Sequence, residues 1–118
     1  MKFEDLEVWQ RATELSTDIY QKFRGLKDYG FKDQITRSGL SIPSNIDEGF
    51  ERNSQKECIS FLSYAKGSCG ELRTQVHIGM RIRYVDKSDE ERWLQEAEEI
   101  FLMLGGLIKT KRSFIKPK

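Results

Sequence analysis

The sequence predicts an all-α protein, an antiparallel up-and-down four-helix bundle, and three observations predict it. Apolar residues recur at steps of three and four through four successive segments. None of these segments shows the period-two alternation of a strand. The connections are short, so consecutive helices should lie side by side and run in opposite directions. At 118 residues the chain is expected to be one domain, 1–118, built around one core.

The first segment runs from about Phe3 to Arg24 and carries Leu6, Val8, Trp9, Ala12, Leu15, Ile19, Tyr20 and Phe23 at helical spacing. Glu4, Asp5 and Glu7 sit near its start, where the helix dipole favours negative charge. Gly25 ends it, and Lys27-Asp28-Tyr29-Gly30 reads as a loop.

The second segment spans about Phe31 to Glu51, with Ile35, Ile42 and Ile46 on one side. Pro43 removes a helical hydrogen bond and clashes with the preceding turn. A kink near Pro43, or two helices meeting at Ser41-Ile42, is expected. Ser38, Gly39, Ser41 and Ser44 are small enough for a neighbouring helix to approach closely.

The third segment opens on a capping box, Ser54-x-x-Glu57. From there Cys58, Leu62, Ala65, Cys69, Leu72, Val76, Gly79 and Arg83 alternate by four and three, the seam of left-handed helix packing. Phe61, Tyr64, Ile78 and Ile82 form a second stripe, expected to widen the buried face. Gly67 and Gly70 each cost a helix about 1 kcal/mol relative to Ala, and close helix contact is the simplest compensation.

A second capping box, Ser88-x-x-Glu91, opens the fourth segment. Trp93, Ala97, Ile100, Leu104 and Leu107 make its seam, with Leu94, Phe101 and Ile108 alongside. Acids crowd its start and Lys109, Lys111 and Arg112 its end, which matches the helix macrodipole. Residues 113–118 are expected to fray.

Charge narrows the function. Lys and Arg number 20 against 19 Asp and Glu, a net +1, which excludes a uniformly basic nucleic-acid glove and an acidic tail protein. No apolar run approaches the ~20 residues of a membrane span, and the first residues lack a signal peptide's apolar stretch. The cytoplasm is therefore the expected compartment, with no membrane partner.

Cys58 and Cys69 lie eleven residues apart, about 16 Å along one helix, too far for a disulfide between them. They read as small buried thiols. His77 is the single histidine, so neither a zinc site nor the paired Glu-x-x-His motifs of a di-iron bundle can be built. Ala65-Lys66-Gly67-Ser68 has the wrong order for a phosphate loop, and Gly39-x-Ser41-x-Pro43 lacks the final Gly of a nucleophile elbow. No metal, cofactor or catalytic residue is expected.

Two polar groups stand out. Arg37, Ser41, Asn45, Glu48 and Arg52 follow steps of four, four, three and four, and Lys66 and Glu71 on the third segment are their candidate partners. This set reads either as a hydrogen-bonded network fixing helix register or as a recognition face. Lys109, Lys111, Arg112, Lys116 and Lys118 form an acid-free basic end that could contact phosphates, or could serve as a solvated helix terminus.

Several blocks are familiar. Phe3-x-x-Leu6-x-Val8-Trp9, Gln34-Ile35-x-Arg37, Ser41-Ile42-Pro43-Ser44-Asn45-Ile46-x-Glu48-Gly49, Phe61-Leu62-x-x-Ala65-Lys66-Gly67-Ser68-x-x-Glu71-Leu72 and Leu104-x-x-Leu107-Ile108 resemble the four-helix-bundle family of 23S rRNA intervening-sequence proteins. The resemblance covers residues 3–108. It implies a ring-shaped homopentamer of antiparallel bundles. Some members are encoded inside ribosomal RNA genes, and a related branch works with a reverse transcriptase and nucleic acid. Thr36 and Ser38 stand where the resemblance leads one to expect a basic residue and Ala. The resulting expectation is a non-enzymatic, oligomeric, RNA-associated or accessory scaffold. The alternative is a module that binds a protein partner such as a polymerase. Trp9, Phe50, Phe61, Tyr64 and Trp93 are many large aromatics for one small bundle, which also points to self-association.

Overall fold

A computed structural model describes residues 2–115. Lys116, Pro117 and Lys118, and with them the end of the tail expected to fray, lie outside the described residues. A short 3-10 turn, Phe3–Asp5, leads into α1 (Glu7–Lys22), α2 (Tyr29–Glu51), α3 (Gln55–Arg81) and α4 (Lys87–Ser113), and the described residues contain no strand. The molecule is a rod of 52 × 23 × 20 Å.

The four helices form a closed square. α1 packs on α2, α2 on α3, α3 on α4, and α4 returns to α1, with no diagonal packing among the described residues. Cross-helix contacts fix the register. Gly49 meets Cys58, Ser41 meets Ser68, and Phe31 approaches Gly79, so numbers fall on α2 as they rise on α3. Likewise Arg73 meets Glu98 and Lys66 meets Phe101 between α3 and α4, while Arg92 meets Asp18 and Arg11 meets Glu99 between α4 and α1.

The α3 seam packs as its spacing predicts at seven of its eight positions; Arg83, the eighth, is exposed beyond the helix end at Arg81. Cys58, Leu62, Ala65, Cys69, Leu72, Val76 and Gly79 are all buried. On α4 the seam Trp93, Ala97, Ile100, Leu104 continues to Ile108 rather than Leu107, because a straight helix of 3.6 residues per turn drifts from a strict 3.5 repeat. Val8, Ala12, Leu15, Ile19, Phe23, Ile35, Ile42, Ile46 and Val85 complete the core.

Several expectations are corrected. α2 begins at Tyr29, two residues before the expected start, because Asp28 caps it by accepting from the Phe31 N–H at 3.3 Å. It runs as one helix through Pro43, not as two meeting at Ser41-Ile42. α4 is capped by Asp86, whose side chain accepts from Asp89 N–H at 2.8 Å, and Ser88 lies inside the first turn. The second α3 stripe does not widen the core, since Tyr64, Ile78 and Ile82 are exposed. A Cβ added at Gly67 would meet nothing within 4 Å, so close contact inside this bundle does not explain that glycine. Trp93 is fully buried and is no surplus aromatic, whereas Trp9, Phe50 and Phe61 are half-buried.

α3 ends at Arg81, and Arg83 lies beyond it in the left-handed region at φ 66°. Arg83 N–H bonds to Met80 carbonyl at 3.1 Å and Tyr84 N–H to Gly79 carbonyl at 2.8 Å, the paired bonds of a Schellman cap. The cap folds Val85 back onto Gly79. A Cβ there would sit 2.7 Å from Val85 Cγ2 and 3.0 Å from Phe31 Cζ, which is why this position holds glycine.

Candidate functional site

The polar residues of α2 do not act as one face. Each step of four around an α-helix turns by roughly 40°, so Arg37 and Asn45, eight apart, leave the helix about 80° apart. Ser41 points at α3: its Oγ donates its single proton to Ser68 Oγ. Asn45 Nδ2 donates to the Ser41 carbonyl at 2.8 Å, and Ser68 Oγ to the Tyr64 carbonyl at 3.1 Å. These bonds make one chain across the α2/α3 seam. Arg52, the residue that caps the end of α2, bonds Glu48 at 2.9 Å in its last turn and stacks over the Phe61 ring at 4.7 Å. Arg37 turns the other way and lines the groove between α1 and α2.

Lys66 and Glu71 are not the shared partners of α2. Five residues turn the helix by about 500°, so the two side chains leave α3 some 140° apart. Lys66 faces α4, its Nζ 4.5 Å from the Phe101 ring centroid, where Arg73 stacks as well at 4.9 Å while bonding Glu98. Glu71 is exposed.

At the α4 end Lys109 and Arg112 are exposed, and Lys111 lies over the Phe50 ring at 5.0 Å. Beside it a cleft of about 100 Å³ is lined by Gly49, Phe50, Arg52, Asn53, Ser54, Gln55 and Cys58. Lys116 and Lys118 fall outside the described residues.

The α1/α4 seam carries charge clusters that spacing alone did not reveal. Arg11 donates through Nε to Glu96 at 3.0 Å and through Nη2 to Glu99 at 2.7 Å, with a further Nη2 bond to Glu96. Those hydrogen bonds raise the Arg11 pKa and lower that of Glu99. Asp18 accepts from the Arg92 guanidinium and from Trp93 Nε1, both at 2.7 Å. Asp89 receives Lys22 at 3.0 Å; partial burial works against its charge, yet the bonds from Lys22 and Arg92 hold its pKa below the ordinary value. Glu14, Asp18, Glu96 and Glu99 line a cleft of about 340 Å³ here together with Arg92, which pairs with Asp18, while Arg11 pairs with Glu96 and Glu99.

A larger groove of about 600 Å³ runs between α1 and α2, lined by Tyr20, Arg24, Arg37 and Leu40 among others. Tyr20, Arg24 and Leu40 were not candidates from the sequence. Tyr20 sits one residue off the buried Ile19 in α1, and the periodicity left open which side of the seam it would take.

Both cysteines are buried and free. Burial pushes the Cys69 thiol up to about 12 and raises Cys58 as well, so neither is a poised nucleophile. Among the described residues no group of His, Cys, Asp and Glu is placed to hold a metal ion, and no helix is long and apolar enough to cross a membrane.

Comparison with known proteins gives two findings. A family model described as 23S rRNA-intervening sequence protein matches residues 4–106. A solved structure from Bacteroides thetaiotaomicron, described as a protein with unknown function from the S23 ribosomal protein family, is similar at 26% identity and a TM-score of 0.81. The match covers 86% of this chain and 98% of that one. No curated protein matches.

Proposed function

The chain belongs to the 23S rRNA-intervening sequence protein family, and from that premise we propose that it works as a non-enzymatic, oligomeric helical scaffold that contacts RNA in the cytoplasm. The observation that carries the reading is the way its polar groups are used. Ser41, Asn45 and Ser68 bond to one another and to helix carbonyls, Glu48 pairs with Arg52, and Lys66 stacks on α4. Groups spent in this way fix the register of neighbouring helices, and they converge on no common point where a substrate could react.

Lys109, Lys111 and Arg112, continued in sequence by Lys116 and Lys118, supply the RNA contact in this reading. Exposed Tyr64 and Leu102 supply apolar surface for self-association, and five copies is the number the family resemblance implies. Light scattering is expected to find a particle several times the 13.8 kDa chain mass. A gel shift with ribosomal RNA is expected at about 50 mM salt and is lost steeply as salt rises. A 13.8 kDa particle contradicts the scaffold, and no shift at low salt contradicts the RNA contact.

The same exposed apolar residues favour a second reading, a module that docks on a protein partner such as a polymerase. A stoichiometric protein that co-purifies after nuclease treatment selects this reading, and recovery of RNA alone rejects it.

A further inference from the structure

We infer that the groove between α1 and α2 is a binding site for single-stranded RNA, with a base stacked on Tyr20 and the flanking phosphates held by Arg24 and Arg37. The inference rests on the RNA-contact reading and adds to the basic α4 end a second contact between α1 and α2. At about 600 Å³ the groove has room for a nucleotide unit. Tyr20 is 59% exposed, leaving a ring face open to a base. Neither Arg24 nor Arg37 has an ion-pair partner among the described residues, whereas Arg11, Arg52, Arg73 and Arg92 are each tied to a carboxylate. Two free guanidinium groups therefore flank one exposed aromatic ring, against a single lining carboxylate, Asp33.

The hydroxyls add the feature that marks RNA. Thr17 Oγ1 donates to the Thr13 carbonyl at 2.8 Å and Thr36 Oγ1 to the Lys32 carbonyl at 2.7 Å. With their protons committed, both oxygens keep lone pairs that can accept from a ribose 2′-OH. The α1/α4 cleft is lined by four carboxylates, three of them already paired with Arg11 or Arg92, and among the described residues it offers an anion no free cation. A partner helix is the poorer occupant. It needs a row of apolar anchors, and only Tyr20 and Leu40 of the nine lining residues offer one.

Fluorescence anisotropy with a labelled twelve-nucleotide oligo(U) tests the site on the full chain. Tyr20→Ala should weaken binding roughly tenfold, as loss of one stacked base does, while Tyr20→Phe should retain it. Arg24→Gln with Arg37→Gln should flatten the dependence of log affinity on log salt by about 1.4, the share of two phosphate contacts on a single strand. An oligo(U)·oligo(A) duplex should bind more weakly than the single strand, because its bases are not free to stack. All these residues are exposed, so melting temperatures should stay within a few degrees and loss of binding will not report unfolding. If the wild type binds and the variants match it, the groove assignment is overturned while the RNA reading stands. If the wild type shifts ribosomal RNA at about 50 mM salt but does not bind the oligo(U), the groove assignment alone falls; if it binds neither, both fall. If the variants change only the particle mass, the groove is a contact between copies and the assignment is again overturned.

Discussion

The α2/α3 seam and the α1/α4 seam close the same bundle by different means. Between α2 and α3 the backbones come close: a Cβ on Gly49 would lie 3.2 Å from the Cys58 carbonyl oxygen, and Ser41 bonds Ser68 directly. No ion pair crosses this seam among the described residues. Between α1 and α4 the joint is ionic, with Arg11 on Glu96 and Glu99, Arg92 and Trp93 on Asp18, and Lys22 on Asp89. The difference follows from connectivity. A three-residue link, Arg52-Asn53-Ser54, holds α2 and α3 together, so small residues suffice to set their register. No short link joins α1 to α4. Their pairing is specified by directional charge, and the closing seam is the one that solution conditions can loosen.

Substitutions should separate the two seams, beginning with the largest effect. Trp93→Ala removes a side chain that is 1% exposed and leaves Asp18 without its indole donor. A loss of about 3–5 kcal/mol is expected in urea unfolding, a large part of a small domain's stability. Next is Gly79→Ala, which drives a methyl group against Val85 and Phe31 and should cost about 1–3 kcal/mol. That loss should be the same at low and high salt, because it is steric.

Arg11→Met should cost less, roughly 1 kcal/mol, since Glu96 and Glu99 keep partial access to water. Unlike the glycine variant, it should lose most of its effect at about 1 M salt, where screening acts within ~3 Å. Acid should act on the same seam. Asp89 and Glu99 are held below their ordinary values of 3.8 and 4.5, so their native ion pairs stabilise the fold fully above pH 4.5. That contribution is lost as pH falls through the lowered native values, and a pH series of urea midpoints should show the wild type losing more than Arg11→Met. The smallest effect expected is a gain. Gly67→Ala fills open space on a helix and should add about 0.5–1 kcal/mol.

The helices and their core were legible because burial follows spacing, as the seven buried seam positions of α3 illustrate. Helix ends were less so. Asp86-x-x-Asp89 and Ser88-x-x-Glu91 are both plausible caps, and only the backbone decides that Asp86 accepts the bond. Partner choice was least legible. Arg37, Ser41 and Arg52 share a row in sequence, yet one lines the α1/α2 groove, one bonds α3 and one, just past the end of α2, pairs back to Glu48. Lys66 faces α4 because residue 66 follows the buried Ala65 on its α4 side, a fact available only once the neighbours of α3 are known. In the ionic joint Arg92 and Asp18 stand 74 positions apart and Arg11 and Glu99 stand 88 apart, beyond the reach of any local pattern.

Amide hydrogen exchange of the native protein at low and high salt tests the contrast most directly. On passing from about 0.05 M to about 1 M salt, amides of α1 around Ala12 to Ile19 are expected to lose protection, while those around Ile42, Ile46, Leu62 and Ala65 keep theirs. Equal loss in both regions, or an earlier loss in α2 and α3, would contradict it.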